Sequence, residues 1–315
     1  ILPRMSESFQ PALADYLRDE SRRVGRADRI AFPRTEAEVL AALAEARAAK
    51  LPVTTQGART GVTGGAVPEG GLILNLAHMD QILAAENGEL RVQPGATLDA
   101  IRAAVPPGFY FAPDPTEPSA SIGGMISCNS SGALSFLHGP TRNHVLGLRV
   151  ALFDGTVVDL RRGRDKTAGL RFQLGSVSGE LPPLRRPAVK NAAGYFVDPD
   201  MDLVDLFVGA EGTLGVVTEA TLRLLPAPGA VWGLMAFLPS TAAVVGFVEA
   251  LRGGQKPEVG GQSSGAELAA LEYFDSNCLV FLREHADELA SKGIAVPTLP
   301  DGAAWPTPWV VERVP

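Results

Sequence analysis

Residues 52–66 read PVTTQGARTGVTGGA: an extended run, 51–56, opens into a loop with glycines at 57, 61, 64 and 65. Glycines clustered in this way let backbone N–H groups turn inward on an anion with no Cβ in the way, and the hydroxyls of Thr60 and Thr63 add donors. A pyrophosphate suits that chemistry. Two negative tests narrow the reading. No Lys-Ser/Thr pair follows the glycines, which removes the P-loop, and the spacing is not G-x-G-x-x-G opening a helix, which weakens a Rossmann assignment. Taken alone, the same loop is also compatible with a plain tight turn.

Upstream, Thr35 with Glu38 three residues later is a capping-box pattern, and Val39, Leu40, Leu43 and Ala46 follow at helical spacing as far as Lys50. Downstream come β-type runs at 72–76 and 90–93. Thr97 then caps a short helix over 98–105, ended by Pro106-Pro107-Gly108. Residues 112–139 are rich in proline, serine and glycine yet carry Ile122, Met125 and Ile126, which predicts buried loop and short helix. Residues 145–160 predict a hairpin with Asp154-Gly155 as its two-residue turn. Residues 216–225 alternate, placing Val217, Glu219, Thr221 and Arg223 on one face, before Pro226-Ala227-Pro228-Gly229 interrupts the chain. Beyond it lie a β-type run at 234–238 and a helix opened by Ser240, with Val244, Val245, Phe247, Val248 and Leu251 inside. The expected organisation is an N-terminal extension over 1–28 with one helical pattern (Leu13, Tyr16, Leu17), a main domain over 29–227, and a smaller domain over 228–315.

Composition restricts the partners. A net charge of −7 over 315 residues, with no Lys/Arg-rich run, argues against nucleic acid. No apolar run approaches the roughly 20 residues that span a bilayer, and Ile1-Leu2-Pro3-Arg4 does not open a signal peptide, so a soluble, cytoplasmic protein is expected. Two cysteines, Cys128 and Cys278, cannot build a disulfide framework, a four-thiolate zinc site or an iron–sulfur cluster, which leaves electron transfer to an organic cofactor.

Two further loops share the small-residue character of the first: SIGGMISCNSSG over 121–132 and GAEGTLG over 209–215. Together with TRNHVLGL (141–148), VKNAAGY (189–195) and LFVGAEGTLGVVTEATLRLLP (206–226), their order and spacing resemble FAD-linked oxidases and dehydrogenases. The resemblance is to the vanillyl-alcohol-oxidase superfamily, in the D-lactate dehydrogenase, glycolate oxidase and D-2-hydroxyglutarate dehydrogenase group. It covers residues 30–226. It implies an α+β fold: a two-lobed PCMH-type FAD-binding domain followed by a partial α/β cap domain, with FAD extended between the lobes. Gln56, Gly57, Ala58, Arg59, Thr60, Gly61, Gly64 and Gly65 would form the pyrophosphate loop. Pro113, Asp114, Ser121, Gly123, Gly124, Ser127, Asn129 and Gly132 would line the dinucleotide and ring. Glu211, Gly212, Gly215 and Val217 would close on the adenosine end. Some relatives attach flavin covalently through His or Cys. No His lies in 56–66, so non-covalent FAD is expected, with Cys128 as the dissenting candidate and a buried space-filling thiol as its ordinary reading.

Oxidising a 2-hydroxy acid needs a hydride acceptor at flavin N5, a base for the hydroxyl proton and a cation or metal for the carboxylate. The resemblance places base and metal in a His-rich, Glu-containing motif near the C-terminus. That motif is not found, and His78, His138, His144 and His285 are scattered, so no metal site is assigned. Substrate-side candidates are Arg142, as a bidentate carboxylate binder or equally an internal salt-bridge partner, together with His138, Lys190 and Tyr195. Lys190 and Tyr195 flank Asn191-Ala-Ala-Gly194, where related sequences carry Asp-x-Thr-Gly-Tyr. The residues after Pro226 suffice for only part of the expected cap, and the start at Ile and the β-type run at 309–314 suggest an incomplete chain. The expected function is oxidation of a D-2-hydroxy acid resembling lactate, glycolate or 2-hydroxyglutarate, with a quinone, cytochrome or protein as electron acceptor. A non-catalytic or electron-relaying FAD subunit of a larger complex is the alternative. A reductase of the enolpyruvyl-sugar type and a flavin-free scaffold are weaker readings.

Overall fold

A computed structural model describes residues 5–187, 189, 191–252, 258–259, 262–263, 267–294 and 307–314. They fall into two compact units. One comprises the described residues up to Gly132 together with Gly139–Pro226; the other comprises Ala133–His138 and the described residues from Ala227 onward. The break after Pro226 lies at the Pro-Ala-Pro-Gly interruption.

The first unit holds two lobes, each with its own sheet and core. The first lobe contains β1 (Glu7–Ser8), β2 (Arg29–Ala31), α1 (Glu36–Ala48), β3 (Val53–Gln56) and β4 (Leu72–Asn75). Its sheet order is β1-β2-β4-β3, with β4 parallel to β2 and β3 and β1 antiparallel at the edge. The Thr35 hydroxyl accepts the Glu38 N–H at 3.2 Å and caps α1 as expected. The reciprocal half of the box is redirected: Glu38 Oε2 accepts the N–H of Arg34, at 2.6 Å, not that of Thr35. Val39, Ala42, Leu43 and Ala46 pack on Leu72 and Leu74 of β4. Residues 5–28 do not stand apart as an extension. β1 pairs with β2, and a 3-10 turn over Pro11–Leu17 replaces the expected helix.

The second lobe runs through β5 (Ile82–Glu86), β6 (Glu89–Val92), α2 (Leu98–Ala104), β7 (Phe109–Tyr110) and α3 (Ile122–Cys128). α4 (Ser135–His138) belongs to the second unit. The lobe resumes with β8 (Val145–Ala151), β9 (Val157–Arg161), β10 (Arg171–Leu174), β11 (Val177–Glu180), α5 (Val204–Phe207), β12 (Val216–Arg223) and β13 (Leu225–Pro226). Its main sheet is antiparallel throughout, in the order β5-β6-β12-β8-β9; β7 pairs with β13 and β10 with β11. Buried Leu90, Val92, Val150, Ala220 and Leu222 of the sheet share a core with Ile122, Met125 and Ile126 of α3.

Two local expectations are corrected. The β8–β9 turn has three residues, not two: the Gly155 N–H donates to the Leu152 carbonyl at 3.0 Å and Gly155 takes φ +93. Asp154 Oδ1, accepting the Thr156 N–H at 2.8 Å, holds the extra residue in place. In β12 the register against β8 shifts between Val217 and Glu219. Thr218, Ala220 and Leu222 are buried while Glu219, Thr221 and Arg223 face outward, so the bulge removes Val217 from the face it was expected to share with them.

The second unit contains β14 (Ala230–Met235), α6 (Thr241–Arg252), β15 (Glu258–Val259), β16 (Gln262–Ser263), β17 (Glu267–Phe274), α7 (Ser276–Glu284), α8 (Ala286–Ser291) and β18 (Thr307–Val314). Its three-stranded sheet has the order β14-β18-β17. Ser240 Oγ accepts the Ala243 N–H at 3.2 Å at the start of α6, where Val244 is buried but Val245, expected inside, is exposed.

Candidate functional site

Where β3 ends, the chain must turn sharply, and Gln56 fixes how it does so. Its side chain is almost fully buried; Nε2 donates to the Tyr16 carbonyl at 2.8 Å and the Ala66 carbonyl at 2.7 Å, while Oε1 accepts from Asn75 Nδ2 at 3.3 Å. The two ends of the glycine loop are thereby tied together and to the N-terminal segment. Ser121, the N-cap of α3, has an Oγ that accepts from Gly124 N at 3.4 Å and from Ala58 N at 3.2 Å, joining the first loop to the second. A Cβ on Gly57 would lie 2.0 Å from that oxygen, so any larger residue there would displace the hydroxyl from this bond. The third loop hangs on the same helix: Gly209 N donates to Ile126 O and Glu211 N to Ser127 O, each at 2.9 Å.

The three loops meet around one cavity of about 450 Å³, walled by residues of both lobes. Gln56, Gly57, Ala58, Arg59, Thr60, Gly61 and Gly65 line it from the first loop, Ser121, Gly123, Gly124 and Ser127 from the second, and Glu211, Gly212, Gly215 and Val217 from the third and β12. Arg59, at φ +62, sends Nη1 to the Asp15 carbonyl and lays its guanidinium 4.3 Å over the Tyr16 ring. Its Nε is buried with no partner among the described residues. A buried N–H donor left over on the wall, beside glycines that bare the backbone, fits an anionic nucleotide.

Five predicted residues do not line the cavity: Gly64, Pro113, Asp114, Asn129 and Gly132. Asn129, Gly132 and Asp114 brace the loops around it. Asn129, at φ +48, ends α3 and its Oδ1 accepts the Arg142 N–H at 3.0 Å; a Cβ on Gly132 would lie 1.9 Å from the Asp114 carbonyl. Gly64 turns at φ +84 beside Arg23.

Sequence reasoning missed Asp19, Pro94, Pro115, Thr116, Glu117, Ser130 and Ser131, all in the wall. Pro94 had a signal in the Pro94-Gly95 break, since a Cβ on Gly123 would lie 2.8 Å from the Pro94 Cβ. Asp19 had none. Cys128, read as a buried filler, instead opens part of its surface to the cavity it lines while protein packs around the rest. Burial by surrounding protein, then the charges of Glu211 and Asp19, push its thiol above the usual range, so the neutral thiol dominates near pH 7.

The substrate-side candidates are not gathered at the cavity. Arg142 takes the salt-bridge reading: its guanidinium binds Asp205 Oδ1 at 3.2 Å and the carbonyls of Asp205 and Val208, and it stacks 4.2 Å over Phe196. Arg162 clamps the same Asp205 with two bonds of 2.8 Å. Tyr195 donates to or accepts from Thr213 Oγ1 at 2.8 Å and lines a separate, apolar cavity with Phe172, Leu206 and Leu214. His138 lies in α4 of the second unit, and Lys190 is outside the described residues. Among the described residues no cluster of three His, Cys, Asp or Glu is arranged to hold a metal, and no helix is long and apolar enough to cross a membrane.

Residues 27–161 match the family model described as an FAD binding domain. The glycolate oxidase subunit GlcD of Bacillus subtilis is 39% identical over 206 residues, 64% of this chain and 37% of its own length. The D-lactate dehydrogenase of Anaerostipes hadrus is 33% identical over 70% of this chain and 42% of its own, and the D-2-hydroxyglutarate dehydrogenase of Pantoea ananatis is 33% identical over 64% of this chain and 22% of its own. The chain thus spans less than half the length of these relatives. Among solved structures, an alkyldihydroxyacetonephosphate synthase superposes on 100% of this chain and 54% of its own with a TM-score of 0.68 at 15% identity, a likeness of fold. The convergence of three small-residue loops on one two-lobed cavity and these matches agree: residues 27–161 form an FAD-binding domain similar to those of FAD-linked oxidases and dehydrogenases, on the PCMH-type fold, and FAD is its cofactor.

Proposed function

We propose that the chain serves an FAD-dependent dehydrogenase that oxidises a D-2-hydroxy acid and passes the electrons to a quinone, cytochrome or protein acceptor, in the cytoplasm. The observation that carries the proposal is the single cavity on which the three loops converge, in a chain similar to proteins named for glycolate, D-lactate and D-2-hydroxyglutarate. Bound FAD would supply the hydride acceptor, at N5. The chain's part is to hold it without a covalent bond: the first loop's N–H groups and Arg59 Nε would hold the pyrophosphate, and the small residues at 123, 124 and 215 would leave room for the rest. Acid precipitation is expected to release all the flavin into the supernatant.

One observation favours the alternative, an FAD-holding or electron-relaying subunit. Among the described residues Arg59 is the one cation in the cavity wall, and its guanidinium is committed to Asp15 and Tyr16, while Asp19, Glu117 and Glu211 are acidic. A substrate carboxylate has no counter-charge there. Anaerobic addition of a panel of D- and L-2-hydroxy acids to the holoprotein separates the two. The dehydrogenase reading expects a D-acid to bleach the flavin; bleaching by dithionite but by no acid supports the subunit reading.

A further inference from the structure

Asp19 lines the FAD cavity yet lies in the N-terminal segment, outside every loop that resembles the family's motifs. That segment is anchored against the first loop at several points. Gln56 Nε2 holds the Tyr16 carbonyl, Arg59 holds the Asp15 carbonyl and covers the Tyr16 ring, and Gly25 N closes back on the Leu17 carbonyl at 2.7 Å. Inside this fold-back, Asp19 is only 6% exposed. Its Oδ1 accepts the Ser21 N–H at 2.9 Å and its main-chain carbonyl accepts the Arg22 N–H at 3.2 Å. Its Oδ2 is buried and has no partner, and among the described residues no Lys or Arg forms an ion pair with it. A buried carboxylate oxygen without a donor is costly, so a donor is expected to reach it, and a ligand held in the cavity that Asp19 lines supplies one. The charge of Asp19 is also felt by Cys128 on the cavity wall.

We infer that Asp19 is an FAD-binding residue whose Oδ2 accepts a hydrogen bond from a donor of the cofactor: a ribose or ribityl hydroxyl, the adenine amine or the flavin ring N–H. The phosphates carry no donor, and a carboxylate would repel them. Asp19 and Arg59 Nε are thus complementary, one unmet acceptor and one unmet donor of the same cavity wall, for the neutral and the anionic parts of one ligand. The inference rests on the FAD reading and adds to it a residue that the glycine loops do not include.

The test uses the full chain stripped of flavin. Asp19→Asn preserves side-chain size and an acceptor for Ser21 while replacing the second oxygen with an amide donor. FAD titration by flavin fluorescence is expected to show a Kd raised at least about tenfold, the loss typical of a hydrogen bond to a charged group. The unfolding temperature of the flavin-free variant is expected to hold or rise, because its unpaired charge is gone. Asp19→Ala is expected to lose the same affinity. A Kd for Asp19→Asn within threefold of the parent overturns the inference and leaves Oδ2 to an ordered water. A loss of affinity matched in both variants by a lower flavin-free unfolding temperature also overturns it, in favour of a purely structural role. Parallel titrations with ADP and FMN locate the donor: a loss with ADP places it on the adenosine half, a loss with FMN on the flavin half, and a loss with neither overturns the inference. Failure of the parent chain itself to bind FAD would sink the underlying FAD reading, not the assignment of Asp19.

Discussion

At the scale of single residues, the first loop is positioned by close approach. Gly57 leaves Ser121 Oγ free to receive the Ala58 N–H, and an added methyl would displace it. Gly57→Ala is expected to cost about 1–3 kcal/mol of flavin-free stability by overpacking and to weaken FAD binding with it, measured by urea unfolding and flavin titration. Cys128 offers a second test. Its thiol is held above the usual range by the desolvating protein packed around part of it, with Glu211 and Asp19 adding charge, so alkylation by iodoacetamide at pH 8 should be slow. Glu211→Gln removes one of those charges, lowers the thiol pKa and should speed the reaction, while FAD protects in both proteins. Mass spectrometry of the Cys128 peptide reads the rates, and an unchanged rate in the variant would refute the assigned cause. What the sequence concealed at this scale was long-range pairing. Arg142 looked available for a carboxylate, but its partner Asp205 lies 63 residues away, and nothing local to either position announces the pair.

At the scale of elements, the β12 bulge lets Thr218 reach across to the first turn of α1. Its hydroxyl donates to Glu36 Oε2 at 2.7 Å, and Arg149 of β8 binds both oxygens of the same carboxylate, at 2.6 and 2.8 Å. This links the helix of one lobe to the sheet of the other. The hydrogen bond from Arg149 lowers the Glu36 pKa, burial opposes that, and Thr218 adds to the lowering. A carboxyl depressed on folding contributes stability that is present above its unfolded pKa, near 4.5, and is lost as pH falls through its lower folded value. Arg149→Met is therefore expected to cost about 1 kcal/mol at pH 7, after allowance for the solvent screening of a partly exposed arginine, and progressively less below pH 4.5. Urea midpoints of both proteins against pH give the difference; a gap that persists unchanged at pH 3 would contradict it. The helix itself was readable from Thr35 and the spacing of Val39, Leu43 and Ala46. The bulge was not, because an extra residue in a strand shows only against the register of its neighbour.

At the scale of the whole molecule, the cavity draws its wall from both lobes of the first unit, so FAD binding should stabilise that unit as a whole. Free FAD at about 100 times its Kd is expected to add about 2.7 kcal/mol, seen as a higher unfolding temperature in a scan followed by far-UV circular dichroism. No shift at saturating FAD would mean that the cavity does not accept the cofactor. The sequence by itself determined the presence of a nucleotide-binding flavin fold, since small residues in three loops and their spacing are local chemistry that survives in one dimension. It also determined the helix caps at Thr35, Thr97 and Ser240. Only the tertiary structure decided which residues face the cavity. It turned Arg142 inward to Asp205, kept Asn129 and Gly132 as supports, opened Cys128 to the cavity, and folded the segment bearing Asp19 back against the glycine loop. The physical reason is that a charged side chain takes its role from whatever partner the fold delivers, and those partners lie too far along the chain for spacing to reveal.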